Sequence, residues 1–436
     1  MLEIPEQAVP SIQLEHAIEG DLVKRRLEVD QRRIETTRPR PSGSFDDPFA
    51  DWWESFLGER RRRPDRSREP VRYVDLFSSV GGLSLGATEA IESLGMRAVP
   101  LLAADVDGDA LSVYAQNLQP RQTLTESISG LVDYRVSGVG ERARFAYEPS
   151  ITDSRLADIS GTIDLVLAGP PCQGHSSLNN HSRHDDPKNL LYLTVPAVVV
   201  ATQARHVVIE NVPNVVADKH GVVQTTIALL RGAGYRVTTG TIAAHRLGWP
   251  QTRRRFFIAA SLDEEPIDLK SLERQQQRDA LPVSWLLRPL LDRANDVDLM
   301  HSVPTLSAEN RRRVQYLFDN NLWNLPNEVR PDCHKDGTTY GASYGRMDWD
   351  SPAPTITGGF LTPGRGRFIH PLRHRVLTPR EAARVQGFPD WYDFMLDGDG
   401  TSRTQLGRWI GNAVPTILGS TAVLAALGGR KADPLA

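Results

Sequence analysis

Three short segments supply a thiol, a carboxylate and a cluster of guanidinium groups. Pro170-Pro-Cys172 follows the apolar run Ile163–Ala168 directly, with Gly169 and Gly174 beside it. A cysteine at the C-terminal end of a strand, in the crevice of an open sheet, is placed for nucleophilic attack. A buried cysteine that only fills the core is the other reading of that residue type; the rigid, shaped loop favours the nucleophile. Glu210-Asn-Val212 ends a second run, His206–Glu210, and would face the same crevice. Buried among apolar neighbours, its carboxyl would rise in pKa and could donate a proton; a capping or ion-paired acid is the alternative. Gln251-Thr-Arg-Arg-Arg255 follows Leu247-Gly-Trp-Pro250 and leads into strand Phe256–Ala260. Its arginines could hold phosphates or a polar ring oxygen. A lone arginine triplet is usually a solvated face, and Arg311–Arg313 reads that way.

The elements that must position these groups alternate. Arg72–Phe77 reads as a buried strand, Ser78–Gly82 as a tight glycine turn, and Leu83–Leu94 as a helix stopped by Gly95. Ala98–Val106 is the next strand and ends at Asp105 and Asp107. Strand, glycine turn, helix, strand, acid is the order of a nucleotide-cofactor site, with the acid on the ribose. The G-x-G-x-x-G pattern is missing, which counts against a nicotinamide dinucleotide. Leu191–Thr202 is expected as helix despite Pro196. The fold class is therefore α/β, a doubly wound, mostly parallel, Rossmann-like sheet with a second, smaller region.

The 436 residues suffice for two or three domains. With 40% hydrophobic and 24% charged residues, the chain is neither disordered nor collagenous. Two cysteines, Cys172 and Cys333, exclude a disulfide scaffold and fit a reducing compartment. A net charge of -3 gives no bulk argument for nucleic acid, which must come from local basic patches. No apolar run approaches the ~20 residues of a membrane span, so a soluble cytoplasmic protein is expected. Residues 1–70 read as an N-terminal extension. They hold a helix over Leu14–Ile34, a linker from Arg38 to Ser44, an aromatic anchor at Trp52, Trp53 and Phe56, and a basic run at Arg60–Arg63. Residues 71–260 form the catalytic and cofactor domain, 261–350 the smaller region, and 351–436 a return to the first domain.

Taken together the segments resemble the DNA (cytosine-5-)-methyltransferase family. They occur in the family's order: Asp75–Gly82 (DLFSSVGG), Ala104–Asp107 (ADVD), Asp158-Ile159, Gly169–Ser176 (GPPCQGHS), Asn189–Tyr192 (NLLY), Glu210–Val212 (ENV), Gly248–Arg255 (GWPQTRRR), Leu377–Asp390 (LTPREAARVQGFPD) and Gln405–Pro415 (QLGRWIGNAVP). The resemblance covers roughly 72–260 and 340–425.

The resemblance implies methyl transfer from S-adenosylmethionine to carbon 5 of a cytosine flipped out of duplex DNA. Cys172 would add to carbon 6, Glu210 would serve the N3 edge, Arg255 would hold the ring carbonyl and Arg253 would support the loop. Phe77, Gly81, Gly82, Asp105, Val106, Asp158, Ile159, Pro170, Leu191 and Asn412 would line the cofactor pocket. Residues 261–350 would read the DNA, with Arg311–Arg313, Lys335 and Arg346 as candidate contacts. No metal site is expected, Cys333-His334 lacking further ligands. A monomer is expected, in a restriction–modification or host-protection role with a possible cognate restriction component. A transfer-RNA cytosine methyltransferase and a catalytically silent DNA-binding relative are the competing readings. The chain departs from the family at Ser79, where glycine is usual, at Asp105, where glutamate is usual, and at His175, where phenylalanine is common.

Overall fold

A computed structural model describes residues 12–29, 32–43, 45–61, 65–171, 191–293, 298–335, 342–398 and 400–429. Its centre is a seven-stranded sheet. In chain order the strands are β4 (Pro70–Leu76), β5 (Arg97–Ala104), β6 (Gln122–Leu124), β7 (Leu165–Ala168), β8 (His206–Asn211), β9 (Arg236–Ala243) and β10 (Arg254–Ser261), after an N-terminal meander β1–β3 described below. The order across the sheet is β9-β10-β8-β7-β4-β5-β6. All neighbours from β8 to β6 are parallel, and β10 runs antiparallel between β8 and β9. Strands β7 and β8 are buried along their whole length, which is why LVLA of β7 and the VVI centre of β8 read as continuous apolar runs rather than alternating ones. Pro100 in β5 brings an irregularity in the register with β4 beside Tyr73, as expected of a residue with no N–H for the ladder.

The chain leaves β4 towards β5 and β6, then returns to the other side of β4 as β7. The crevice between β4 and β7 is the topological switch point, where open α/β sheets bind ligands. Helix α2 (Gly82–Ser93) follows β4, and the C-terminal helix Thr416–Leu427 packs closely along it. A Cβ on Gly86 would lie 2.7 Å from the Thr416 carbonyl oxygen, so only glycine allows this approach. Residues 403–427 are long and apolar enough to cross a membrane, but an apolar 18-residue window within them is 94% buried in the protein and the chain breaks at Pro415 into two core helices.

The N-terminal segment differs from the expectation. Instead of a helix over Leu14–Ile34 there is an antiparallel meander: β1 (Ile12–Glu19), β2 (Leu22–Val29) and β3 (Arg32–Pro39). The period is two: Val23, Arg25, Leu27 and Val29 face inward. A charged Arg25 in the inward row disguised the alternation. Arg25 and Arg38 are both buried against Glu89 of α2, at 2.7 and 2.9 Å, and their guanidinium groups lie 4.1 and 4.8 Å from the Trp52 ring centroid. Trp52 belongs to helix α1 (Pro48–Gly58), which is capped by Asp47 and buries Trp52, Trp53 and Phe56. The segment is thus packed into the main core.

The main core also takes in Leu269, Leu272, Trp285 and Met300. A separate small core is built from Val314, Leu317, Leu325, Tyr344 and Ile369. Residues 261–350 thus contribute to both cores, Leu269 to Met300 and Met347 to the main one and Val314 to Tyr344 to the small one.

Candidate active site

Four adjacent parallel strands, in the order β8-β7-β4-β5, deliver the expected residues to one edge of the sheet. Glu210 and Asn211 end β8, Gly169 to Pro171 follow β7, Phe77 to Gly82 follow β4, and Asp105 follows β5. The ladders end in register, with Ala168 paired to both Ile209 and Leu76, and Leu76 to Ala104.

The fifth contribution comes from the antiparallel strand. Because β10 runs against β8, its N-terminal end lies beside the C-terminal end of β8, and Glu210 pairs with Phe257. This puts the Arg255 Nε atom 2.6 Å from Glu210 Oε1. Burial raises the Glu210 carboxyl above its ordinary value, against the opposing pull of Arg255 and Arg253. Asn211 Nδ2 donates to the Pro170 carbonyl at 3.2 Å and ties the two strand ends together. Cys172 follows Pro171 and lies outside the described residues, as do His175 and the loop expected at 176–188.

The GWPQTRRR segment works as an alternating ladder of locks. Gln251 is fully buried and donates to Gln386 Oε1 at 3.1 Å. Arg253 is also buried and donates to the carbonyls of Ile356 (2.5 Å), Gly411 (3.0 Å) and Asn412 (3.4 Å). These last two carbonyls close helix Arg403–Asn412, whose C-terminal end favours a cation. Arg253 therefore binds the returning C-terminal segment to the strand that carries Arg255. The triplet is therefore not a uniformly solvated face: Arg253 is buried and Arg255 partly so, and only Arg254 is exposed.

On the other side of the crevice, the turn after β4 is tightly wound. Phe77, Ser79 and Gly81 have φ of 59°, 44° and 81°. Left-handed backbone costs a non-glycine residue on the order of 1–2 kcal/mol, which is the physical meaning of serine at position 79. The Ser79 N–H donates to Asp105 Oδ2 at 2.8 Å and offsets part of it. Asp105 Oδ1 accepts from the Asp107 N–H at 2.8 Å. Both oxygens of Asp105 thus already hold backbone, each keeping a further lone pair for a hydroxyl. Burial raises the Asp105 carboxyl above its ordinary value. Phe77 is half-buried, Val106 is 72% exposed, Ile159 is buried, Asp158 and Asn412 are exposed, and Leu191 opens the turn before helix Thr194–Thr202.

Two features are given no role by the sequence reading. Beneath the turn, Ser84 Oγ donates to Asp75 Oδ2 at 2.6 Å and pairs with the Tyr114 hydroxyl at 2.7 Å. Burial pushes the Asp75 carboxyl up to about 7. Beside Glu210, the buried Tyr192 hydroxyl has no partner among the described residues, and burial with the Glu210 charge raises it above the usual phenol range. Tyr192 is legible only as the last letter of NLLY.

In the smaller unit the expected cations divide. Arg311 and Arg312 are exposed on helix Ala308–Asp319, beside Gln315 and Tyr316. Arg313 is instead directed at Asn310 and the Val329 carbonyl, Lys335 at Asp332, and Arg346 at the Pro371 carbonyl, 4.1 Å from the Phe318 ring centroid. Among the described residues no group of three metal-ligating side chains occurs.

The family model described as C-5 cytosine-specific DNA methylase matches residues 71–425. The chain is 41% identical over 368 residues to Type II methyltransferase M1.BsuMI of Bacillus subtilis (strain 168), covering 84% of this chain and 82% of the relative. It is 31% identical to Type II methylase M.HgiDII of Herpetosiphon aurantiacus, covering 79% and 92%. Among solved structures, the Dnmt2 methyltransferase of S. pombe superposes with a TM-score of 0.56 at 17% identity, covering 82% of this chain and 98% of that one. A putative prophage-encoded DNA modification methyltransferase (E. coli) gives 0.54 at 23%, covering 82% and 99%. With the matched model spanning the whole sheet, the crevice and the returning C-terminal helices, the chain belongs to the C-5 cytosine-specific DNA methylases and is a DNA (cytosine-5-)-methyltransferase.

Proposed function

We propose that the protein methylates carbon 5 of a flipped-out cytosine in double-stranded DNA, using S-adenosylmethionine, as the modification enzyme of a restriction–modification system. The observation that carries the reading is the Glu210–Arg255 pair at the strand edge next to Pro170-Pro171, the residues that lead into Cys172. The Type II names of the relatives support the biological role.

The residues around β4 and β5 fit the cofactor. An exposed valine directly after an acid, beside a half-buried phenylalanine, offers apolar walls and a carboxylate to an adenosine. Phe77, Val106 and Ile159 would flank the adenine, with Asp158 at its edge. Asp105 would accept from the ribose hydroxyls. Gly81, Gly82, Pro170, Leu191 and Asn412 would complete the pocket. When bound, S-adenosylmethionine supplies an electrophilic methyl group to carbon 5.

The chain's own groups do the rest. Cys172, as a thiolate, adds to carbon 6 and makes carbon 5 enamine-like. Glu210 in its protonated form donates to N3 and draws electrons from carbon 6; its burial favours that form. Arg255 orients Glu210 and holds the ring carbonyl. After methylation, loss of the carbon-5 proton expels Cys172 and restores the aromatic ring. Arg253 positions this machinery without touching the base. Of the candidate DNA contacts, Arg311 and Arg312 are the exposed pair on one helix and would meet the DNA.

The test is transfer of labelled methyl groups to genomic DNA and, separately, to total transfer RNA, followed by base-resolved sequencing. Label as 5-methylcytosine in DNA is expected and reports the target site. Label in RNA alone would replace the substrate assignment. Cys172→Ala should abolish transfer while the cofactor still binds; full activity in that variant removes the covalent mechanism.

A further inference from the structure

A pocket unrelated to the crevice lies where the N-terminal meander meets the catalytic body. It has a volume of about 70 Å³, and its walls include His16 of β1, Arg25 of β2, Phe49 of α1, and Gln276 and Arg278 after helix Leu269–Gln275. The matched family region begins at residue 71, so the walls from the meander and α1 lie outside it.

Four nitrogen atoms of these lining residues are buried with no hydrogen-bond partner among the described residues: His16 Nε2, Arg25 Nε, Gln276 Nε2 and Arg278 Nε. Arg25 is only 4% exposed. Guanidinium and amide nitrogens can only donate. Burial, with the Arg25 and Arg278 charges, holds the His16 imidazole well below its ordinary value, so it is neutral and one of its nitrogens can donate as well. The unmade bonds here are therefore donors, and buried donors are costly to leave unmade. The space is several times the roughly 10–15 Å³ a single water needs.

Arg278 shapes the site. A Cβ on Gly248 would lie 2.5 Å from the Arg278 side chain, so the left-handed glycine of the GWPQ turn, φ 88°, makes room for it. Asp47 holds the Nη2 end of that side chain at 2.8 Å, while the buried Nε makes no hydrogen bond among the described residues. The side chain is 34% exposed, giving a way in from solvent.

We propose that this pocket binds a small oxyanion, of phosphate or short-carboxylate size, held by Arg25 Nε, Arg278 Nε and the Gln276 amide, and that the bound anion fastens the N-terminal meander to the catalytic body. Small side-chain adjustments bring the donors onto the anion. The carboxylates of Glu89 and Asp47 already balance the two arginines. Selectivity therefore comes from converging donors rather than from net charge.

The experiment follows thermal unfolding of the full chain against inorganic phosphate, at constant ionic strength balanced with chloride. The wild type should rise in Tm by several degrees to a plateau. Gln276→Leu, which breaks no ion pair shown here, should need several-fold more phosphate to reach it, and Arg278→Met should lose the plateau. If Arg278→Met does not fold, Gln276→Leu alone decides. A non-saturating rise common to all three chains is general salting-out and overturns the proposal. So does a plateau that neither substitution moves, which places phosphate elsewhere, such as the DNA crevice. No response in the wild type also overturns it.

Discussion

Arg255 Nε lies 2.6 Å from Glu210 Oε1, across two strands that run in opposite directions. The pair sets two demands against each other: burial favours the neutral acid and the guanidinium favours the carboxylate. A buried acid raised above its ordinary value in this way is suited to act as a proton donor. Glu210→Gln keeps the shape and removes the proton donor. It should lower the single-turnover methylation rate by about 10²–10⁴-fold, the usual worth of general acid catalysis, while DNA affinity changes little. A wild-type rate would remove the acid role.

Asp75 gives a pH signature in stability. Its folded carboxyl is raised to about 7, by burial first and by the Asp105 charge, against the hydrogen bond from Ser84. The folded state keeps a proton that the unfolded chain releases near pH 4. Stability is therefore lost as pH rises from about 4 to about 7 and is level above that. From the roughly 3 units involved, the loss is on the order of 4 kcal/mol. Asp75→Asn should flatten this part of the curve, so the variant gains on the wild type between pH 5 and pH 8 in urea unfolding. Parallel curves for the two proteins would contradict it.

Glu89 tests whether the N-terminal segment belongs to the body. Burial alone would raise its carboxyl, but Arg25 and Arg38 outweigh burial and hold it below its ordinary value. Glu89→Ala leaves two buried guanidinium groups without that partner and should destabilise the protein by about 3–5 kcal/mol. Removing residues 1–70 should, for the same reason and through the loss of Trp52 and Trp53, abolish soluble expression. A truncated protein of wild-type Tm would show that the meander is dispensable.

The arginines of the smaller unit should separate by role. Arg311→Gln and Arg312→Gln should each weaken DNA binding, with unchanged Tm. Each should also make the slope of log K against log salt shallower, by about 0.9 for every phosphate no longer neutralised. Arg346→Gln should instead lower Tm, because Arg346 lies over Phe318 and holds the Pro371 carbonyl. Salt titrations and melting curves of the three variants decide it.

Much of the main sheet was legible because buried parallel strands leave continuous apolar runs, such as LVLA of β7 and the VVI centre of β8. The meander was not. A strand whose inward row is Val-Arg-Leu-Val carries a charge where the pattern expects an apolar residue. Only a partner 64 positions away, Glu89, makes that arginine a core residue.

The sequence by itself determined the family, the sheet and which residue types stand at the strand ends, because those depend on local order: run, turn, acid, run, cysteine. Tertiary structure alone decided how they meet. That β10 runs antiparallel, and so brings Arg255 to Glu210, is a property of strand pairing that no local pattern encodes. That Arg253 clasps Gly411 and Asn412, 158 and 159 residues away, is likewise invisible in a triplet of arginines. Three adjacent guanidinium groups are chemically alike. Alternation along an extended segment buries the first against the returning helix, leaves the second exposed and aims the third at the acid.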